Sequence, residues 1–216
     1  MFHTYRTWKA AALAGALALT LVGCGGGSGS GAPKGKIGEK SWSAPPAMAL
    51  KADKKYEAVF DTTEGKFTVS LFNDTAPKTV NNFVFLSKQG FYDNVVFHRI
   101  VKSFMIQTGD PTGTGMGGPG YTIEDELKTT RKYDPGIVAM ANTGKPNSGG
   151  SQFFICTGAT CANLNQKPGY AIFGQVTSGM DIVQKIAATP VKVGASGEES
   201  APTKEVKINK IDISEK

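Results

Sequence analysis

The sequence predicts a mainly β protein, an antiparallel barrel whose ends are capped by two short helices. Short segments that alternate apolar and polar residues recur along the chain, as at Phe67, Val69 and Leu71. This period of two is typical of half-buried strands. Turn residues separate the segments, and the 27 glycines favour short strands over long helices. Only residues 73–90 and 179–188 place apolar side chains at helical spacing.

The predicted elements follow one another in a simple order. A hairpin is expected over residues 56–72, and the first helix follows with Pro77 in its first turn and Gly90 at its exit. Later strands are predicted at 95–100, 104–108, 137–141, 151–156 and 170–176. The second helix, a loop at 191–202 and a last strand at 204–213 follow them.

The N-terminus is typical of an exported lipoprotein precursor. Two cations precede an apolar run, residues 10–23, which is too short to span a bilayer and fits the core of a signal peptide. The run ends in L-V-G-C, which looks like a bacterial lipobox with cleavage before Cys24 and lipid on its sulfur. An ordinary signal peptide with an incidental cysteine is the alternative. We therefore expect an extracytoplasmic protein, lipid-anchored to a bacterial membrane, in a host with either one membrane or two.

With this N-terminal signal, the chain is expected to have three parts. Residues 1–23 form the signal peptide, and residues 24–55 form a Gly/Ser/Pro-rich tether, because their composition buries too little apolar area to offset the entropy of ordering. Trp42 is the one residue of the tether that offers a docking contact. Residues 56–216 form the folded domain, which we expect to be monomeric.

Charge and cysteine content exclude some functions and leave one question open. The net charge is +6, but the basic residues are scattered and form no block, so nucleic-acid binding is not expected.

With Cys24 assigned to lipid, Cys156 and Cys161 remain as an even pair. They either form a disulfide across the short loop between them or remain two thiols, with Cys156 packed as a small apolar residue.

Two blocks of sequence carry the chemistry. The first, F-H-R-I-V-K-S-F-M-I-Q-T-G-D at residues 97–110, places the permanent cation Arg99 near an apolar pair and an amide, Gln107. Taken alone, this block is better explained by a surface charge at Arg99 and core packing of Phe104 and Met105. The second block, residues 136–157, reads G-I-V-A-M-A-N-T-G-K-P-N-S-G-G-S-Q-F-F-I-C-T. Together the two blocks resemble the cyclophilin family of peptidyl-prolyl isomerases, over about residues 56–213.

The resemblance implies a closed eight-stranded antiparallel barrel with two capping helices and an active groove on its outer wall. It implies that Arg99 is the catalytic guanidinium and that Gln107 orients it. It also implies the substrate-binding residues, which are Phe104, Met105, Ala141, Asn142, Gln152, Phe154, Leu164 and Tyr170. The family often has an aromatic residue just before the matched leucine, where this chain has Asn163.

The expected activity is therefore isomerisation of X-Pro bonds in proline-containing polypeptides, with no cofactor and no metal. A donor aimed at the prolyl nitrogen favours the twisted amide over the planar one, so no nucleophile is needed. The alternative is a binding module or chaperone that holds proline segments with little turnover. A hydrolase using His98 as a base would need a nucleophile partner, and the sequence offers none.

Overall fold

The computed structural model describes residues 40–216. The predicted signal peptide, Cys24 and the tether up to residue 39 lie outside the described residues. The strands are β1 (Tyr56–Thr62), β2 (Gly65–Leu71), β3 (Arg99–Val101), β4 (Met105–Thr108), β5 (Ile137–Met140), β6 (Phe153–Cys156), β7 (Ile172–Ser178), β8 (Val191–Val193), β9 (Glu199–Pro202) and β10 (Ile208–Glu215). The helices are α1 (Pro77–Lys88), α2 (Met180–Ala187) and a 3-10 helix, Ala159–Gln166. No helix from residue 40 onward is both long enough and apolar enough to cross a membrane.

Eight of the strands form one curled antiparallel sheet in the order β10-β1-β2-β7-β5-β6-β4-β3. The eight strands and their antiparallel pairing are confirmed, and the protein is mainly β with two α-helices. The two edge strands, β3 and β10, share no ladder in the described part of the chain. An isolated bridge between Val96 and Lys207 joins the segment before β3 to the segment before β10. There the Phe97 N–H donates to the Val206 carbonyl at 2.9 Å.

The concave side of the sheet holds an aromatic core. Phe83 of α1 lies among the rings of Phe60, Phe153 and Phe173, with centroids 5.3–6.1 Å apart. All four side chains are fully buried. The pairs are stacked, edge-to-face and tilted, and such ring contacts add to the free energy of burial. Phe83 thus joins α1 to the inner face of the sheet, and the convex face is left available for a site.

The convex face of β4, β5 and β6 carries a second apolar cluster. Successive side chains alternate between faces, so Ile155 faces the aromatic core while Phe154 and Cys156 face outward. Every residue of β5 and β6 is nevertheless buried. The outer face is covered by the 3-10 helix and neighbouring loops. Strands that are buried on both faces have continuous apolar sequences, as these two do.

Residues 40–55 differ from the predicted tether, because they form an arm that packs on α1. The Trp42 ring docks edge-on against Phe85, with ring centroids 5.2 Å apart, and the backbone N–H of Trp42 donates to the Pro119 carbonyl at 2.9 Å. Farther along, the Asn81 side chain accepts from the Ala49 N–H at 2.9 Å. Ordering residues 40–55 costs conformational entropy, which is why their composition predicts a flexible tether. Packing of the indole and pairing of backbone groups offset that cost.

The stretch at residues 191–202 also differs from expectation. It was predicted to be a loop, but β8 and β9 form a two-stranded antiparallel hairpin there. The turn places Gly197 at φ +81°, a conformation that glycine adopts without cost. This hairpin brings Glu198 to the convex face of the main sheet, as described below.

Candidate active site

The β3–β4 hairpin sets the position of the predicted catalytic pair. Arg99 and Gln107 are direct partners in its ladder, and the chain reverses through Ser103 at φ +58°. The guanidinium Nη1 donates to Gln107 Oε1 at 3.2 Å and lies 3.8 Å from the Met105 sulfur. The chain therefore bends at residues 102–103, and Arg99, Met105 and Gln107 share one face.

An apolar cup lies beside this guanidinium. Met105 and Phe154 form its buried floor, with 1% and 4% of their surface exposed. Phe104, Leu164 and Tyr170 are half-buried and pack against the same cluster. Tyr170 meets Phe154 edge-on, with ring centroids 5.3 Å apart. The structure thus brings together all the apolar residues that the sequence assigned to the proline pocket.

A line of amides continues from Arg99 along the groove. Gln107 Nε2 donates to Gln152 Oε1 at 3.0 Å, and Gln152 Nε2 donates to the carbonyls of Gly115 and Gly117 at 3.0 and 2.9 Å. Each amide both donates and accepts, so the chain of bonds fixes the side-chain orientation at every step. Gln152 therefore couples β4 to the glycine-rich loop at residues 110–120.

Ala141 and Asn142 lie across the groove from that loop. The Ala141 N–H donates to the Gln152 carbonyl at 2.9 Å, and Asn142 Nδ2 donates to the Gly169 carbonyl at 2.8 Å. Between the two walls is an open cavity of about 750 Å³, lined by Gln107, Met116, Tyr121, Ala141, Asn142 and Gln152. A polypeptide lying across the cup would have this cavity beside it.

Asp110 organises the glycine-rich loop, although sequence reasoning gave it no role. Its carboxylate is fully buried and accepts hydrogen bonds from the backbone N–H groups of Thr112, Gly115 and Gly117 at 2.7, 2.6 and 3.1 Å. Burial raises the pKa of Asp110, but hydrogen bonds from Thr112, Gly117 and Gly115 outweigh it and leave the pKa below its ordinary value. The sequence signal was available, since an aspartate before a turn often accepts from the following backbone.

Glu198 is the second site residue that the sequence analysis missed. Its two carboxylate oxygens accept from Nε and Nη2 of Arg99 at 2.6 and 2.8 Å, which makes a bidentate ion pair. The hydrogen bond from Arg99 lowers the pKa of the Glu198 carboxyl. Ninety-nine residues separate the partners, so no local pattern predicts this contact. The glycines at 194 and 197 could have indicated the hairpin that carries Glu198.

His98 has no partner for the hydrolase alternative. Both ring nitrogens are buried and make no hydrogen bond within residues 40–216. Burial lowers the pKa of His98 and favours the neutral ring. A general base would instead lie within hydrogen-bond reach of a nucleophile. Residues 40–216 also contain no cluster of three or more His, Cys, Asp or Glu side chains that could hold a metal.

A disulfide joins Cys156 to Cys161 in the structure, with their Cα atoms 5.7 Å apart. The bond ties the end of β6 to the 3-10 helix that carries Leu164. The residues just after β6 contact the β3–β4 turn, where the Thr157 N–H donates to the Phe104 carbonyl at 2.9 Å. Gly158 permits this approach, because a Cβ at that position would lie 2.5 Å from the Ser103 carbonyl oxygen. One wall of the apolar cup is thus fixed covalently to its floor.

Comparison with known proteins assigns this fold and groove to a family. Residues 58–213 match the model of cyclophilin-type peptidyl-prolyl cis-trans isomerases. The peptidyl-prolyl cis-trans isomerase-like 1 protein of Emericella nidulans is 47% identical over 163 residues, which cover 74% of this chain and 95% of that protein. The protein of the same name from Neurospora crassa is 45% identical, covering 73% and 93%.

Solved structures agree with the sequence relatives. A Cryptosporidium parvum cyclophilin-type peptidyl-prolyl cis-trans isomerase matches with a TM-score of 0.67 at 36% identity, over 74% of this chain and 98% of that one. The same protein crystallised in the presence of the dipeptide Ala-Pro matches with a TM-score of 0.66. With the fold, the groove and nearly the full length of these relatives in common, the chain belongs to the cyclophilin family of peptidyl-prolyl cis-trans isomerases.

Proposed function

We propose that Arg99 catalyses the isomerisation without covalent chemistry, as a hydrogen-bond donor to the prolyl nitrogen. The X-Pro amide resists rotation, with a barrier of ~18–20 kcal/mol, because its C–N bond has partial double-bond character. That nitrogen regains its lone pair only when the amide twists, so a donor there stabilises the transition state more than the ground state. The observation that carries the proposal is the guanidinium held by Gln107 at the edge of the apolar cup.

The surrounding residues have complementary roles in this mechanism. The cup of Met105, Phe154 and Leu164 would receive the proline ring, with Phe104 and Tyr170 at its margins. Ala141, Asn142 and Gln152 would hold the flanking backbone. The dipeptide present with the Cryptosporidium parvum relative is consistent with such a ligand. We infer that the protein acts as a monomer, because every site residue belongs to one chain. We also infer that the Val96–Lys207 bridge closes the barrel behind the groove.

A peptide assay separates turnover from mere binding. We expect the purified domain to accelerate cis-to-trans conversion of a peptide containing Ala-Pro, measured by a protease that cleaves only the trans form. Peptide incubated with the domain alone should stay intact, because the mechanism breaks no bond. Binding of the peptide without acceleration would instead support a binding module, and cleavage without the protease would support a hydrolase.

We also propose that the mature protein is exported and anchored by lipid at Cys24, so that its clients are exported polypeptides. The N-terminal signal supports this, and so does the Cys156–Cys161 disulfide, since such bonds persist in oxidising compartments outside the cytoplasm. In a bacterial host, Cys24→Ser should yield a protein without lipid that leaves the membrane fraction. A wild-type mature N-terminus at any residue other than Cys24 would contradict the proposal.

A further inference from the structure

The guanidinium of Arg99 is held from two sides, and only one of them was expected. Gln107 and the Met105 sulfur contact Nη1. On the opposite edge, Nε and Nη2 make the bidentate pair with Glu198. Of the five N–H donors of arginine, these contacts occupy four, which leaves one Nη2 hydrogen without an acceptor among residues 40–216.

The ion pair differs from an ordinary exposed salt bridge. Exposed pairs contribute little because two long side chains lose rotamer freedom for a solvated contact. Here both side chains are about two-thirds buried, with 35% and 38% of their surface exposed. The planar guanidinium fork matches a carboxylate in one orientation only, so the pair fixes the plane of the group as well as its place.

The β8–β9 hairpin holds Glu198 beside Arg99. The carboxylate stands at the turn of the β8–β9 hairpin, where the Gly194 N–H donates to the Glu198 carbonyl at 2.8 Å. Ser200, two residues farther on, is 5% exposed and anchors β9 in the protein. A tight turn with a buried anchor leaves the glutamate backbone little freedom, so the carboxylate is a fixed support for the guanidinium.

We propose that Glu198 is a positioning residue of this isomerase, which fixes the plane of the Arg99 guanidinium beside the proline cup and so orients its remaining N–H donor before substrate binds. The inference rests on the proposed role of Arg99. Without the carboxylate, the guanidinium would be held at Nη1 alone, by Gln107 and the Met105 sulfur, and its other nitrogens would be free to move about that atom. A donor that must be oriented during the reaction stabilises the transition state less than one oriented beforehand.

The test compares Glu198→Gln with a matched control. Glutamine has the same shape but only one acceptor oxygen, so the bidentate contact is lost. We expect kcat/KM for an Ala-Pro peptide to fall roughly tenfold, the order of effect when an oriented side chain regains its rotamers. The loss should lie in kcat, with KM nearly unchanged, because the cup that binds the proline is intact. Glu199→Gln, at an exposed neighbouring carboxylate, should retain wild-type kinetics.

A double-mutant cycle distinguishes failure of this inference from failure of the proposed mechanism. In an Arg99→Ala background, Glu198→Gln should cause no further loss, since no guanidinium remains to orient. Full activity in Glu198→Gln, or a tenfold loss that persists without Arg99, overturns the role of Glu198 alone. Wild-type activity in Arg99→Ala overturns the mechanism and the inference together. Equal thermal unfolding midpoints for Glu198→Gln and Glu199→Gln show that the comparison concerns catalysis and not folding.

Discussion

The buried carboxylate of Asp110 offers a sharp test of how the groove is built. In Asp110→Asn, one oxygen is retained and can still accept from Thr112. The other becomes an amide nitrogen that faces the N–H groups of Gly115 and Gly117, which are donors themselves. Two backbone donors thus lose their acceptor in a site with no exposed surface at Asp110.

The magnitude follows from the number of donors left unpaired. Each buried unsatisfied group costs about 1–3 kcal/mol, so two cost about 2–6 kcal/mol. Movement of the glycine-rich loop relieves part of this, and we expect a loss of about 2–4 kcal/mol in the free energy of unfolding. Urea unfolding followed by circular dichroism measures it. Asp53→Asn, which alters an exposed carboxylate of the arm, is the control and should leave the midpoint unchanged.

Two further readouts connect this loss to the groove. Gln152 is held by the Gly115 and Gly117 carbonyls, so a displaced loop should raise KM for a prolyl peptide in Asp110→Asn. The pKa of Asp110 is below its ordinary value in the folded protein. Its contribution to stability is therefore full above the unfolded pKa and is lost as pH falls through the folded pKa. Below about pH 4, the wild type should lose more stability than Asp110→Asn. An unchanged urea midpoint for Asp110→Asn at neutral pH would refute the reasoning.

Two other predictions concern the wall that carries Leu164. Cys156 and Cys161 should resist alkylation in protein unfolded without reductant, and reduction should cost about 2 kcal/mol of stability because the bond closes a short loop; quantitative alkylation without reductant would exclude the bond. Cyclosporin, which inhibits many cyclophilins, should bind roughly ten- to a hundredfold more weakly than to relatives with an aromatic residue at position 163, since about 1.5–3 kcal/mol of burial is missing. Asn163→Trp should restore part of that affinity. Inhibition of the wild type as tight as in Trp-bearing relatives would show that Asn163 does not occupy the place of their aromatic residue.

The site residues that could be predicted from sequence lie in or next to short paired strands. Arg99 and Gln107 fall in one hairpin, where alternation and a turn fix which side chains share a face. Phe154 joins them because β6 pairs directly with β4, opposite Gln107. Each of these relations is local in sequence or contained in a block long enough to indicate the family.

The residues that could not be predicted depend on contacts between distant parts of the chain. Glu198 reaches Arg99 only because the β8–β9 hairpin lies against β3, and a glutamate in a polar stretch carries no sign of that contact. The arm at residues 40–55 was misread for a similar reason. Its composition is poor in apolar residues, but composition does not show that Trp42 meets Phe85 or that Asn81 pairs with the backbone of the arm. Tertiary partners decided the outcome in both cases.

The most direct test of the central claim is the exchange rate between cis and trans forms of a prolyl peptide, measured by NMR with Arg99→Ala. Exchange spectroscopy reports turnover, while the line positions of the same peptide report binding, so the two are read from one sample. Removing one preorganised donor is worth ~2.7–4 kcal/mol, and we predict that catalysed exchange falls by roughly two orders of magnitude while the peptide still binds. Exchange in Arg99→Ala as fast as in the wild type would contradict the account.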